Sequence, residues 1–228
     1  MVKRCPVVIG GLPRRSSTEI VDLSGLNKDY LMGFANSCGW KQLNHDEVRE
    51  EAASLGTNLH AWVKRHFTGE VQPESDPFDD ETSDRVRELF SAWETWAFGR
   101  NINYERIEQQ IISPRLLFHG TPDLVAEETI GTLTSRWLYD WKTSSKTGPS
   151  IEHWLQVASY VDLLEDDGVY IDGVCIVVIC KADNIAREAR MSLADLAPYR
   201  RLFRHLLAFS LELDEIAASP KKRARAKQ

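Results

Sequence analysis

A continuous apolar run at residues 171–180 constrains the fold of this chain more than any other stretch. It reads IDGVCIVVIC, and its apolar residues do not alternate with polar ones. Such a run is typical of a β-strand buried on both faces, which requires helices on both sides of the sheet. Helical spacings of apolar residues before and after it, over 151–164 and 193–218, supply two such helices. The run therefore predicts an α/β fold.

The rest of the pattern predicts a central mixed β-sheet flanked by helices. Apolar residues three and four apart predict helices over 46–69 and 82–98, and Gly56 can divide the first of them. Strand patterns follow at about 102–112, 115–119, 122–127, 136–142 and 185–192. Residues 1–18 read as irregular and 70–80 as a polar loop. We expect one domain over 1–218, made of a mainly helical part at 1–100, a sheet core with the active site at 101–192 and a last helix at 193–218.

The charge distribution limits what the chain can bind. The tail at 219–228 holds five of the 28 basic residues and is predicted to be disordered, as a phosphate-binding arm or a solubility feature. The remaining 23 basic residues stand against 34 acidic ones, a balance of −11. An acidic body disfavours tight binding of nucleic acid through its phosphates. It suits an enzyme whose carboxylates are neutralised by metal and whose contact with nucleic acid is transient.

The cysteine pattern and the apolar runs indicate a cytoplasmic protein. The four cysteines form no Cys-x-x-Cys pair and are predicted to be reduced thiols: Cys5, Cys38, Cys175 and Cys180. No apolar run approaches the length of about 18 residues that a membrane span needs. Pro6 and Pro13 oppose an amphipathic transit helix in the basic first segment. We therefore expect the protein to lie in the cytoplasm.

Two carboxylates and a lysine form the most informative motif. Pro122-Asp123 is followed at a distance by Asp140-Trp141-Lys142 inside a predicted strand. Side chains alternate along a strand, so Asp140 and Lys142 share one face. If Asp123 comes from the neighbouring strand, all three charged groups meet in one small volume. Hard divalent cations prefer oxygen ligands in such an arrangement.

These residues resemble the PD-(D/E)xK nuclease superfamily. Four pieces occur in the order seen in its branch of RecB-type nuclease domains, phage exonucleases and the mitochondrial genome maintenance exonuclease. They are Gly56-Thr-Asn-Leu-His60, Gly120-Thr-Pro-Asp123, Asp140-Trp-Lys-Thr-Ser144 and Gln156-Val-Ala-Ser-Tyr160. The resemblance covers about residues 45–182 and implies a restriction-endonuclease-like core.

The resemblance implies a metal site and a catalytic lysine. It gives His60, Asp123, Asp140 and the Trp141 backbone carbonyl as ligands of one or two Mg²⁺ or Mn²⁺ ions. Asp123 and Asp140 also count as catalytic. Lys142 is expected to orient the attacking water or to stabilise negative charge in the transition state, although a structural ion pair is the alternative.

Further residues receive supporting roles from the same resemblance. Gln156 and Tyr160 lie four apart on one helix face, where they are expected to contact phosphate or orient the site. The loop after the motif adds Thr143, Ser144 and Lys146 as candidate contacts to DNA. Glu108, on the preceding strand, is a further catalytic candidate, with a solvated strand edge as the alternative.

The sequence thus predicts a metal-dependent DNA exonuclease of phage or bacterial recombination and repair, acting on single- or double-stranded ends. A structure-specific or restriction-type endonuclease is the nearest alternative, and a non-catalytic DNA- or protein-binding module is an alternative of another class. The acidic body leaves room for a recombination or single-strand annealing partner protein. No iron–sulfur cluster is expected, because the three clustered downstream cysteines that such relatives carry are lacking.

Overall fold

The computed structural model describes residues 6–26, 28–70 and 80–218. The helices are α1 (Ser17–Asp22), α2 (Lys28–Trp40), α3 (His45–Thr68), α4 (Asp80–Ala97), α5 (Ile151–Asp166) and α6 (Leu193–Ala218). The strands are β1 (Val7–Ile9), β2 (Leu12–Arg14), β3 (Asn101–Ile107), β4 (Ile111–Ser113), β5 (Phe118–Gly120), β6 (Leu124–Ile130), β7 (Leu133–Ser144), β8 (Gly173–Cys180) and β9 (Ile185–Ser192).

Five strands form a mixed sheet in the order β3-β6-β7-β8-β9. Only β7 and β8 pair in parallel, with Asp140 beside Ile176, and the other three pairs are antiparallel. Helix α5 connects the two parallel strands, because such strands need a long crossover rather than a tight turn. Every residue of β8 is buried. The predicted mixed sheet flanked by helices is confirmed.

Helices cover the sheet on both faces, and each face has its own apolar cluster. Helices α3 and α4 pack on the face that carries Tyr139, Trp141 and Val177. Helices α1, α5 and α6 pack on the opposite face, against Leu138 and Ile176. The alternation along β7 thus divides its side chains between the two layers. Both layers meet the end of β7 that carries the Asp140-x-Lys142 pair.

Two details of the predicted elements were wrong, and one that the sequence left open is decided by the structure. Helix α3 is continuous through Gly56, where a β-carbon would stand 3.4 Å from Thr143 Oγ1 of β7. Tertiary packing therefore holds a helix that glycine alone would weaken. Within residues 6–18, predicted to be irregular, lie the hairpin β1–β2 and the start of α1. The long strand predicted at 102–112 is divided into β3 and β4.

Some predicted features lie outside the described residues, namely most of the loop at 70–80, the tail at 219–228 and Cys5. Cys38, Cys175 and Cys180 are free thiols and buried. Within the described residues, no helix is both long and apolar enough to cross a membrane.

Candidate active site

Asp123 and Asp140 reach one volume from neighbouring strands. Asp123 directly precedes β6, and Asp140 lies in β7, which pairs with β6. The Trp141 N–H donates to Asp123 Oδ2 over 2.8 Å, which fixes the first carboxylate beside the second strand. Asp123 is 8% exposed and Asp140 is fully buried. The proximity expected from the sequence is therefore present.

Lys142 contacts both carboxylate oxygens of Asp140 but donates a hydrogen bond to one of them. Its Nζ lies 2.9 Å from Oδ1, which accepts a hydrogen bond, and 2.8 Å from Oδ2. The second contact lacks hydrogen-bond geometry, so Asp140 Oδ2 is buried without a hydrogen-bond donor. A buried carboxylate oxygen without a hydrogen bond can accept a further cationic partner.

His60 joins the two carboxylates from the helical side. It lies on α3, with Nε2 at 3.1 Å from the Trp141 carbonyl oxygen and Nδ1 at 3.5 Å from Asp123 Oδ1. The buried stripe of Leu55, Leu59 and Val63 holds α3 against the sheet and aims His60 at the edge of that stripe. The imidazole therefore contacts two of the oxygen atoms predicted to bind metal.

The charges of the site shift one another's pKa values. Burial raises the pKa of Asp140 to about 6, against the opposing effect of Lys142 and with help from Asp123. Burial opposes protonation of His60, yet the Asp123 carboxylate raises the pKa of that imidazole to about 9. The pKa of Asp123 is lowered, since His60 outweighs burial, and the pKa of Lys142 is raised by both carboxylates. Without metal, His60 and Lys142 thus supply the positive charge that Asp123 and Asp140 require.

Gln156 and Tyr160 form a hydrogen-bonded pair beside the site. Gln156 Nε2 donates to Tyr160 Oη over 2.7 Å and lies 3.2 Å from Thr18 Oγ1 of α1. Tyr160 is buried, and burial together with the charges of Asp140 and Asp123 raises its pKa. The pair is therefore tied to α1 rather than lying free on a helix surface.

Gly120 lets the helices approach the strand that leads to Asp123. A β-carbon there would lie 2.5 Å from Ser17 Oγ, 2.8 Å from Tyr160 Cε1 and 3.0 Å from Leu163 Cδ1. Ser17 Oγ also donates to the His119 carbonyl oxygen over 3.2 Å. The glycine of Gly-Thr-Pro-Asp thus serves close packing against α1 and α5.

Glu108 lies beside Asp123, and its side chain is paired with a lysine of α3. Its side chain pairs with Lys64, at 3.3 Å, one turn after His60 on α3. Its backbone N–H donates to the Asp123 carbonyl oxygen over 2.9 Å, and its φ of 46° is left-handed. A catalytic role for Glu108 stays a prediction.

The loop residues after the motif lie in two places. Thr143 faces Gly56 of α3. Ser144 and Lys146 line a groove of about 500 Å³ between the end of β7 and the start of α5. Ser144 Oγ accepts the Lys146 N–H over 2.9 Å, which shapes the loop. Their proposed contact with DNA stays a prediction.

The donor set suits a divalent cation, although it is not arranged around one. Among the described residues, no three His, Cys, Asp or Glu side chains are gathered as a ready metal site. Two carboxylates, an imidazole and the Trp141 carbonyl nevertheless lie within one volume, with Asp140 Oδ2 lacking a donor. Oxygen ligands with one imidazole fit Mg²⁺ or Mn²⁺. The residues therefore fit the predicted cofactor.

Comparison with protein families identifies a superfamily for the chain. Residues 36–226 match the model of the PD-(D/E)XK nuclease superfamily, which covers most of the chain. The chain belongs to that superfamily. Its members generally use divalent metals such as Mg²⁺ or Mn²⁺. The predicted superfamily is thereby confirmed, and the N-terminal hairpin with α1 lies ahead of the matched region.

The similarity to solved structures is more limited. A protein from Eubacterium rectale described as a candidate exonuclease shares 8% identity, with a TM-score of 0.47 over 72% of this chain and 69% of that one. The protein SSO0001 shares 14% identity, with a TM-score of 0.36 over 59% of this chain. The alignment spans 61% of the length of SSO0001. No curated protein matches the chain.

Three residues near the site were missed from the sequence. Thr18 contacts Gln156. It lies in a short helix whose apolar residues are too few to predict a helix from the sequence. Lys64 follows His60 by one helical turn, and that spacing was the available signal. His153 stands three residues after Ser150, the spacing of a helix capping box, and lines the groove beside Lys146.

Proposed function

We propose that the chain is a metal-dependent DNA exonuclease that hydrolyses phosphodiester bonds at single- or double-stranded ends. The observation that carries the proposal is the convergence of Asp123, Asp140, Lys142 and His60, with one buried carboxylate oxygen left without a donor. A role in phage or bacterial recombination or repair, in the cytoplasm, follows from the branch that the motif order resembles.

The metal would be held by Asp123, Asp140, His60 and the Trp141 carbonyl. Such an ion, or a pair of them, lowers the pKa of bound water and polarises the phosphoryl oxygen. His60 must give up its bridging proton to become a ligand, because only the neutral imidazole binds metal. Asp140 Oδ2 is available without breaking any hydrogen bond.

The protein's own contribution is positioning and charge. Lys142 stays cationic because both carboxylates raise its pKa. Its side chain is 17% exposed, and its Nζ can orient the attacking water or bind the phosphate as charge develops. The N–H of Trp141 holds Asp123 in place through the reaction. No covalent intermediate is needed.

Exonuclease activity is favoured over the alternatives by the motif order alone. Gln156 and Tyr160 follow the acidic motif as in exonucleases of the resembled branch. A structure-specific or restriction-type endonuclease uses the same chemistry and is the second candidate. A non-catalytic binding module is opposed by the intact charged set, because buried charges without a function destabilise a fold.

One digest series tests the proposal. Linear duplex, closed circular duplex and single-stranded DNA, labelled at either end, are incubated with Mg²⁺ or Mn²⁺. We expect nucleotides to be released from ends, circles to stay intact and EDTA to stop the reaction. Lys142→Ala is the inactive control.

Each other result has a definite meaning. Cutting of the closed circle would overturn the exonuclease assignment and support the endonuclease. A lack of metal-dependent cleavage of any DNA or RNA would remove the enzyme proposal altogether.

A further inference from the structure

A groove continues from the active site beyond the end of β7. Asp140, Lys142 and Ser144 share one face of β7, because side chains repeat every second residue. Each such step spans roughly 7 Å along the strand. Ser144 opens a groove of about 500 Å³, whose other walls include Leu26, Leu31, Lys146 and His153. The groove is therefore the direct extension of the face that carries Asp140 and Lys142.

His153 has a fixed tautomer on the wall of this groove. The Ser150 N–H donates to His153 Nδ1 over 3.2 Å, so Nδ1 carries no proton and the neutral ring carries it on Nε2. No acceptor for that Nε2–H is found among the described residues. The ring is half-buried. His153 therefore presents an unpaired hydrogen-bond donor in a held orientation.

Burial and the nearby lysines keep His153 neutral. Burial, followed by the positive charges of Lys142 and Lys146, lowers the pKa of His153 to about 4, and Glu152 opposes them. The imidazole is thus uncharged throughout the neutral range. Lys146 and Glu152 both line the groove, and Lys142, which is paired with Asp140, lies close enough to His153 to oppose its protonation.

The opposite wall is apolar. Leu26 and Leu31 are 49% and 39% exposed, respectively, and both line the groove. A groove lined by a hydrogen-bond donor, Lys146 and two leucines matches a nucleotide, which has an anionic phosphate and an apolar base face. Small-molecule sites of about 300–1,000 Å³ are typical, and 500 Å³ suits one nucleotide rather than a base pair.

We propose that this groove binds one unpaired nucleotide adjacent to the scissile phosphate, and that His153 Nε2–H donates to the phosphate of that nucleotide. The proposal rests on the proposed nuclease function and specifies its substrate. Because the groove holds a single base, the strand being cut must be unpaired at that position. The substrate is then a single strand or an end that frays before cleavage.

Two substitutions at one position separate binding from structure. His153→Asn keeps an acceptor where Nδ1 receives the Ser150 N–H, but removes the donor at Nε2. His153→Gln places an amide N–H near the position of Nε2, but removes the acceptor for Ser150. The dissociation constant of a single-stranded oligonucleotide is measured with Ca²⁺ in place of Mg²⁺, together with the melting temperature. Michaelis constants with Mg²⁺ are measured on the same strand, on blunt duplex and on duplex with frayed ends.

The expected result is opposite behaviour of the two variants. His153→Asn should weaken binding roughly tenfold to a hundredfold, the worth of a hydrogen bond to a charged group, with little change in melting temperature. His153→Gln should stay closer to the wild type in binding and melt at a lower temperature. The wild type should show a lower Michaelis constant for frayed than for blunt ends.

The contrary results are distinguishable from failure of the proposed function. If the wild type cleaves DNA while His153→Asn binds as tightly as the wild type, the groove proposal is wrong and the nuclease proposal stands. If His153→Gln loses as much affinity as His153→Asn, the proposal is wrong and the histidine only stabilises the start of α5 through its hydrogen bond with Ser150. An equal Michaelis constant for blunt and frayed ends would also overturn the requirement for an unpaired nucleotide.

Discussion

Two buried carboxylates on the paired strands β6 and β7 differ in how many hydrogen bonds and ion pairs they accept. Glu128, at the far end from the site, is 3% exposed and fully partnered. It accepts from Tyr139 Oη at 3.0 Å and pairs with Arg100 at 3.1 Å and Arg190 at 2.6 Å. Asp140 is buried more completely, yet it has Lys142 as its ion-pair partner and one oxygen without a donor.

The pKa shifts record the same difference. Burial raises the pKa of Glu128, but the arginines and Tyr139 outweigh it and the net pKa is lowered. For Asp140 burial prevails, and its pKa rises to about 6. A structural carboxylate is thus stabilised in its charged form by the protein alone. The carboxylate that we propose to bind a cation accepts fewer hydrogen bonds from the fold, and this difference is the clearest physical mark of the proposed site.

The largest expected effect is the loss of activity in Asp140→Asn. The amide keeps the shape but cannot hold a cation, so we expect kcat to fall about a thousandfold, the upper range for removing one electrostatic contact to the transition state. Single-turnover cleavage of end-labelled DNA measures it. Since the carboxylate is incompletely partnered, the melting temperature should change less than in the Glu128 variant. Activity within tenfold of the wild type would refute the role of Asp140.

Glu128→Gln should show the reverse pattern. Removing the charge leaves Arg100 and Arg190 with Glu188 as their remaining acidic partner. We expect the free energy of unfolding to fall by about 3 kcal/mol, the lower end of the range for breaking a buried ion pair. Chemical denaturation measures the free energy of unfolding, and kcat per folded molecule should be unchanged. A loss of kcat comparable to that of Asp140→Asn would abolish the distinction between the two carboxylates.

The pH dependence of stability provides a second view of Glu128. Its pKa is lower in the folded protein than the ordinary value of 4.5, so its stabilising effect is present above that value. The effect is lost as the pH falls through the lowered folded-state pKa. The difference in unfolding free energy between wild type and Glu128→Gln should therefore shrink below about pH 4.5. A difference that grew on acidification would have the wrong sign.

Packing behind the site should be less tolerant than packing elsewhere. Gly120→Ala places a methyl group 2.5 Å from Ser17 Oγ and 2.8 Å from Tyr160 Cε1. We expect this overpacking to lower the free energy of unfolding by about 2 kcal/mol. Gly33→Ala in α2 is the matched control, because nothing lies within 4 Å of its added carbon. It should be neutral or slightly stabilising. Equal melting temperatures for the two variants would show that α1 does not pack as described.

The smallest expected effect concerns the hydroxyl of Thr18. Thr18→Val keeps the shape of the side chain and removes its hydrogen bond with Gln156. Such a hydrogen bond contributes about 1 kcal/mol, so we expect kcat/KM to fall roughly fivefold. Thr18→Ser should retain wild-type kinetics. If Thr18→Val also behaves as the wild type while Gln156→Ala is impaired, α1 takes no part in orienting the site.

The strands of the site could be predicted because the signals are local. The period of two placed Asp140 and Lys142 on one face, and the apolar run at 171–180 required helices on both sides. The C-terminal helix was predicted with its observed bounds, since its apolar spacing is regular. The order of the motif pieces, more than any single residue, led to the superfamily.

The parts that could not be predicted depend on contacts distant in sequence. Arg15 is held by Asp214 and Ser210, almost 200 residues away, and no local pattern encodes that pairing. Glu108 has a left-handed backbone, which is unusual for glutamate, and it pairs with Lys64, which is 44 residues away in the sequence. His153 carries a capping-box spacing, but its neutrality depends on lysines that the fold brings near it.

The central claim is that Asp140 is left incomplete because it binds a divalent cation, and calorimetric titration with Mn²⁺ tests this most directly. Wild type and Glu128→Gln should bind Mn²⁺ with the same affinity. Asp140→Asn should bind it at least about a hundredfold more weakly, beyond the range seen when only an outer partner of a ligand is removed. Undiminished Mn²⁺ binding by Asp140→Asn would contradict the account.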